Sequence, residues 1–139
     1  MKEADLTGVH YIGADMVPEL IKQNNETYGN EDREFKVLDV LEDELPLCDM
    51  VICRDALVHM DFRDCFRALR NITGSGAKYL LTTTFTLHEN EEIDEMRMWR
   101  PLNMMSSPFN FGRPLVLLNE GNYHPMFCDK AVGVWRIEN

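Results

Sequence analysis

Through residues 9–85, short apolar runs alternate with segments patterned for helices, and this alternation restricts the fold more than any other feature of the chain. Residues 9–14 (VHYIGA) form a run with β-branched and aromatic members, which predicts a strand buried on both faces. Pro18 suits the first turn of a helix, where its missing N–H is not needed. Leu20, Ile21, Asn24 and Tyr28 recur at helical spacing, and Gly29 reads as the stop. Residues 34–40 (EFKVLDV) and 49–53 (DMVIC) are the next strand candidates, separated by the acidic LEDELPLC. Asp61 can cap a helix whose apolar stripe is Phe62, Cys65, Phe66, Leu69 and Ile72, ending near Gly74 and Gly76. Residues 77–85 (AKYLLTTTF) read as the fourth strand. Strands joined through helices imply right-handed crossovers and a mostly parallel sheet.

The rhythm breaks after residue 85. An acidic HENEEIDEM with room for a helical turn or two leads into WRPLNMMSSPFNFGRP, rich in Pro, Asn and aromatics. A connection of this length suggests a functional or disordered segment. Residues 115–119 (LVLLN) and 131–137 (AVGVWRI) are strand candidates joined by GNYHPMFCDK, and without a helix between them they are expected to pair antiparallel. At 139 residues, 45% of them hydrophobic, the chain is expected to form a single domain over residues 1–139.

Charge narrows the range of partners. With 24 acidic against 14 basic residues, the net charge of -10 repels phosphate backbones and anionic membrane surfaces, so neither nucleic acid nor membrane is expected as a partner. No stretch approaches the roughly 18 apolar residues of a membrane span, and the opening KEADLTG is acidic rather than signal-like. Cys48, Cys53, Cys65 and Cys128 form no C-x-x-C pair and read as reduced core thiols of a cytoplasmic protein. His10, His88 and His124 are scattered, so no metal site is expected. His88, just beyond the fourth strand candidate, reads either as a substrate-facing group or as a solvated loop histidine.

In order and spacing these segments resemble the class I S-adenosylmethionine-dependent methyltransferases. YIGAD is similar to that family's second-strand motif, VLDVLEDELPLCDMVICRDALVHM to the next two motifs, and LRNITGSGAKYLLTTTF to the helix, glycine turn and fifth strand that follow. PFNFGRPLVLLNEG and AVGVWRIEN resemble the tail of a bacterial subgroup. The resemblance implies a Rossmann-like, mostly parallel α/β sheet closed by a C-terminal antiparallel hairpin, in the family strand order 3-2-1-4-5-7-6, but without the first strand. It also implies S-adenosylmethionine as cofactor and a small-molecule methyl acceptor as substrate.

By the same resemblance Asp15, with Met16 beside it, is the ribose-binding acid. A carboxylate has acceptor lone pairs for both hydroxyls of a vicinal diol, and the alternative is a helix-capping aspartate. Asp39 matches the adenine reader, with the Val40 N–H facing a ring nitrogen; the alternative is a turn aspartate. Arg54 is placed beside the cofactor. Asp55 and His59 follow the strand tip where doubly wound sheets bind ligands, and either is a candidate base for methyl transfer. Their alternatives are a cap or salt bridge and a satisfied histidine near a helix start. The segment 99–113 is expected either to close over the acceptor as a mobile loop or to pack as core.

The family's glycine-rich first turn, which holds the methionine part of the cofactor, has no counterpart in the opening MKEADLTGV. The expectation is an N-terminally incomplete methyltransferase with impaired cofactor binding, whose unpaired inner sheet edges make a homo-oligomer. The competing expectation is a non-catalytic methyltransferase-like module that binds another protein. A nicotinamide oxidoreductase would share the ribose carboxylate but accounts less well for RDALVH and the antiparallel end.

Overall fold

The computed structural model describes residues 4–93, 98–121 and 124–137, which fall into two compact units, residues 1–43 and 44–139. In the first unit, β1 (Tyr11–Asp15) and β2 (Arg33–Val37) pair in parallel, with Tyr11 opposite Arg33 and Asp15 opposite Val37. They are joined by α1 (Pro18–Tyr28), with Pro18 in its first turn and Ile21 as its buried residue. β1 begins two residues later than its sequence pattern suggests, and β2 ends three residues earlier because the 38–43 segment turns back on itself. The Asp39 carbonyl accepts from the N–H groups of Glu42 and Asp43 there.

Two devices in this unit need specific residues. Asn25 of α1 reaches β2, its amide donating to the Phe35 carbonyl at 2.8 Å and accepting from the Phe35 N–H at 2.9 Å. This satisfies the backbone of a strand edge that water would otherwise have to serve. Gly29 does end α1, but through close approach rather than a left-handed cap. Its φ is -65°, and a Cβ there would sit 2.5 Å from the Asn25 carbonyl oxygen.

The second unit is a four-stranded sheet in the order β3-β4-β6-β5. β3 (Met50–Cys53) runs parallel to β4 (Tyr79–Phe85), β4 pairs antiparallel with β6 (Lys130–Arg136), and β6 pairs antiparallel with β5 (Val116–Asn119). The antiparallel ending is as expected from the missing helix. α2 (Phe62–Gly74) connects β3 to β4, with the Asp61 carboxylate accepting from the Asp64 N–H at 2.7 Å as its cap. Its buried face is Cys65, Ala68, Leu69 and Ile72, while Phe66 is partly exposed and lies against Phe109.

β4 is the most buried strand, and its three threonines show how polar side chains survive there. The Thr82 hydroxyl donates to the Cys53 carbonyl, the Thr83 hydroxyl bonds Asp55, and the Thr84 hydroxyl accepts from the Met104 N–H. Each buried hydroxyl therefore has a partner, which removes the desolvation cost of an orphan. On β6, Trp135 lies over Gly133, where any Cβ would meet its ring at 2.2 Å, so this position takes only glycine unless the indole moves.

The segment 99–113 packs as core and does not hang free as a lid. Leu102 and Met104 are almost fully buried, Phe109 meets Phe62 edge to face and lies tilted against Phe66, and the Phe85 N–H donates to the Leu102 carbonyl. Asn90 and Asn103 lock it in place: the Asn103 N–H donates to the Asn90 side chain, and the Asn90 amide donates to the carbonyls of Asn103 and Ser107. Of the acidic stretch before it, residues 88–93 are not helical, and 94–97 lie outside the described residues. Cys53 and Cys65 are buried thiols as expected, Cys48 is half-buried, and Cys128 is exposed. Burial pushes the Cys53 thiol up to about 11.

Candidate functional site

In the first unit, the carboxyl ends of the two parallel strands bring Asp15 and Asp39 together in the fold. Asp15 closes β1, and its carbonyl accepts from the Leu38 N–H at 3.0 Å, one residue before Asp39. The Asp15 Oδ1 accepts from the Val17 N–H at 2.9 Å, while Val17, not Asp15, is the residue at the cap of α1. The carboxylate is thus oriented by a local turn and not consumed as a cap. Asp39 is held in the same way, its Oδ1 accepting from the Leu41 N–H at 2.8 Å and its own N–H donating to Asp43 at 2.7 Å. Two oriented carboxylates at adjacent strand tips suit a ligand with several hydroxyl or amino donors. Met16 beside them is largely exposed.

In the second unit, the end of β3 holds a four-member charge network. Arg54 donates from Nε and Nη2 to Glu120 Oε1 at 2.8 and 2.6 Å, and its Nη1 lies 3.1 Å from Asp55. Lys130 donates to Asp55 Oδ2 at 2.8 Å, and its Nζ lies 3.0 Å from Glu120 Oε2. The Asp55 N–H donates to the Thr83 hydroxyl, which in turn donates to Asp55 Oδ1. This grip holds Asp55 at a left-handed φ of 55°, a conformation that a non-glycine residue keeps only when its surroundings fix it.

The network also sets protonation. Burial raises the Asp55 and Glu120 pKa values, but Lys130 and Thr83 on Asp55, and Arg54 and Lys130 on Glu120, outweigh it, so both carboxyls are held below their ordinary range. A carboxyl lowered by folding contributes stability that is present above its unfolded value and lost as pH falls through the folded one. The ordinary values are 3.8 for Asp55 and 4.5 for Glu120, so the loss lies in acid, below about pH 4.5. The urea midpoint is therefore expected to fall steadily between about pH 5 and pH 3, with a shallower fall in Asp55→Asn. A midpoint equally acid-sensitive in both proteins would disprove the role given to Asp55.

His59 ends a short 3-10 turn (Leu57–His59) and is exposed. Its Nδ1 sits 2.7 Å from the Met98 carbonyl, an acceptor only, so Nδ1 carries the proton and donates. Nε2 of the neutral ring is then left as an acceptor. The bond to Met98, 39 residues away, is invisible in the sequence.

The pairing of His88 with Asp129 was also beyond sequence reasoning. The His88 Nδ1 lies 3.1 Å from Asp129 Oδ2, and the same oxygen accepts from the Leu87 N–H at 2.7 Å. Asp129 is buried; its burial raises the carboxyl pKa, but the Leu87 N–H and His88 bring it below the ordinary value. Among the described residues no group of three His, Cys, Asp or Glu side chains could hold a metal ion, and no helix is long and apolar enough to cross a membrane.

No family model matches the chain, and no curated protein matches it. Solved structures do. Human N-acetylserotonin methyltransferase in complex with SAM is 15% identical with a TM-score of 0.62, over 92% of this chain and 40% of that one. An O-methyltransferase family 2 protein from Planctomyces limnophilus in complex with apigenin is 14% identical with a TM-score of 0.63, over 91% of this chain and 42% of that one. PigF with SAH is 15% identical with a TM-score of 0.60, over 92% and 48%. The chain thus spans less than half the length of these structures, and at such identity the likeness concerns the fold. With parallel strands joined through helices and an antiparallel end in the order β3-β4-β6-β5, the chain has the α/β fold of the class I S-adenosylmethionine-dependent methyltransferases.

Proposed function

We propose that the chain is part of an S-adenosylmethionine-dependent methyltransferase acting on a small molecule. The observation that carries this reading is the pair of oriented carboxylates, Asp15 and Asp39, at adjacent tips of parallel strands. Their donor-seeking chemistry fits the adenosine part of the cofactor. Asp15, with Met16 beside it, would hold the ribose hydroxyls, and Asp39, with the Val40 N–H, would hold the adenine. When bound, S-adenosylmethionine supplies an electrophilic methyl group on a sulfonium.

The rest falls to this chain's own groups. His59, with Nδ1 fixed on Met98, takes a proton from the acceptor at Nε2. Asp55, with its pKa lowered by Lys130, Thr83 and Arg54 against the effect of burial, is a poor proton acceptor and serves to shape the β3 tip. Arg54, tied twice to Glu120, acts on the cofactor side by holding that tip in place rather than by direct contact. On this reading residues 1–139 act as one domain in the cytoplasm.

Calorimetric titration with S-adenosylhomocysteine tests the reading. Binding in the micromolar range is expected, weakened about tenfold or more by Asp15→Ala, the loss of a hydrogen bond to a charged group. No detectable binding to the parent chain would sink it. That result would favour a non-catalytic interaction module, for which β5 offers the best surface, with Val116, Leu117 and Leu118 all exposed on an edge strand.

Self-association belongs to the same reading. β3 ends its sheet, and Met50 and Ile52 on it are exposed, so a second copy can pair along it. Sedimentation at micromolar concentration should show a dimer or larger species, and a clean monomer would exclude edge pairing.

A further inference from the structure

A cavity of about 410 Å³ in the second unit is lined by His88, Glu89, Glu91, Trp99, Met126 and Phe127, together with Pro101 and Arg100. We propose that it binds a small protonated amine carried on an aromatic ring. The volume lies within the range of small-molecule sites, and its chemistry is one-sided. Trp99 and Phe127, which meet edge to face at 5.1 Å, line it with aromatic carbon that accommodates a ring, and the indole of Trp99 is the π system suited to a cation, since Phe127 is stacked against His88 and His124.

The polar groups point the same way. Because the Asp129 carboxylate only accepts, His88 Nδ1 is the donor of their hydrogen bond, which leaves Nε2 as the ring nitrogen able to accept an ammonium N–H. Asp129 is buried and fixes the ring's orientation, which Phe127 supports by lying nearly parallel to it at 6.5 Å. Glu89 and Glu91 add negative charge at the exposed side. The cation in the lining, Arg100, is 3% exposed, spends its donors on the carbonyls of Glu91, Leu57 and Val58, and has Glu92 at 3.7 Å. It offers little to an anionic ligand. A net charge of -10 further raises the local concentration of cations and lowers that of anions. The binding stands on this geometry alone, whether or not the chain transfers methyl groups.

The probes are phenethylamine, 2-phenylethanol and phenylacetate, which share a ring and differ in the charge of the terminal group. Titrated into the full chain by calorimetry, with ring resonances of His88 and Trp99 followed by NMR, phenethylamine should bind at least about tenfold more tightly than the alcohol. Phenylacetate should bind most weakly. Glu89→Gln, an exposed and isosteric change, should weaken the amine several-fold without affecting the alcohol. Trp99→Ala should abolish binding of both, and Trp99→Phe, which keeps the packing, should retain the preference for the amine. Equal affinity for amine and alcohol, binding that leaves the His88 and Trp99 resonances unmoved, or no binding by any probe would each overturn the proposal.

Discussion

Replacement of Arg100 by alanine is expected to lower the unfolding free energy by about 3–5 kcal/mol, the range for removing one partner of a buried charged group. Arg100 is 3% exposed, and its guanidinium holds three carbonyls from two separate segments. Nε donates to Glu91 at 3.1 Å, and Nη1 donates to Leu57 at 3.2 Å and to Val58 at 3.1 Å. The guanidinium also lies 5.2 Å from the centre of the Phe62 ring and contacts the Cys65 sulfur. Alanine would leave those carbonyls without their donors and open a void beneath Phe62, each orphaned acceptor costing about 1–3 kcal/mol. Arg100→Met separates the two contributions, since it restores volume without donors and should recover only part of the loss. Arg100→Lys should recover little, because one ammonium cannot reproduce the planar fork. Urea unfolding with an unchanged slope is the measurement, and a loss below about 1 kcal/mol in Arg100→Ala would show that water takes over the carbonyls.

The contrast between Arg100 and the helices shows what was legible in the sequence. α2 was readable because its stripe of Cys65, Leu69 and Ile72 reports burial through a period fixed by local geometry. β6 was readable as a run of β-branched and aromatic residues, and the structure adds the alternation that buries Ala131, Gly133 and Trp135. Asp15 and Asp39 were singled out by the resemblance of their segments to a family pattern and not by period: Asp15 closes β1, whereas Asp39 lies two residues beyond the end of β2, whose Val37 is the residue paired with Asp15. The segment 99–113 offered no such period. Its Pro, Asn and Met residues are equally at home in a mobile loop or a fitted plug, and the choice rests on long-range bonds such as Asn90 to Asn103 and Arg100 to Leu57. The same holds for the charge network, where Lys130 meets Asp55 across 75 positions and Arg54 meets Glu120 across 66. Asp55 was open to two readings, a base or a member of a salt bridge, because only its place after β3 was visible. Of its two cationic neighbours, Arg54 stands beside it in the sequence and Lys130 lies far along the chain.

Phe85→Ala is expected to cost about 3–5 kcal/mol, as for other fully buried aromatics cut to alanine. Phe85 closes β4 with no exposed surface, and three rings converge on it: His88 at 5.6 Å, Trp99 at 5.7 Å and Phe127 at 6.1 Å, all in edge-to-face geometry. These three rings also line the 410 Å³ cavity, so Phe85, itself outside the lining, is the floor on which those three walls rest. The alanine variant merges a new void with that cavity, and the surrounding rings are then free to collapse into it. Phe85→Leu keeps most of the volume and should cost only about 1–1.5 kcal/mol. The leucine variant is therefore the more informative of the two. If the walls depend on the floor, it should unfold at nearly the parent urea midpoint, yet lose near-ultraviolet dichroism from Trp99 and bind phenethylamine more weakly. An unaltered Trp99 signal in a variant destabilised as expected would show instead that Phe127 and Pro101 hold the indole, and that the cavity does not rely on the end of β4 for its shape.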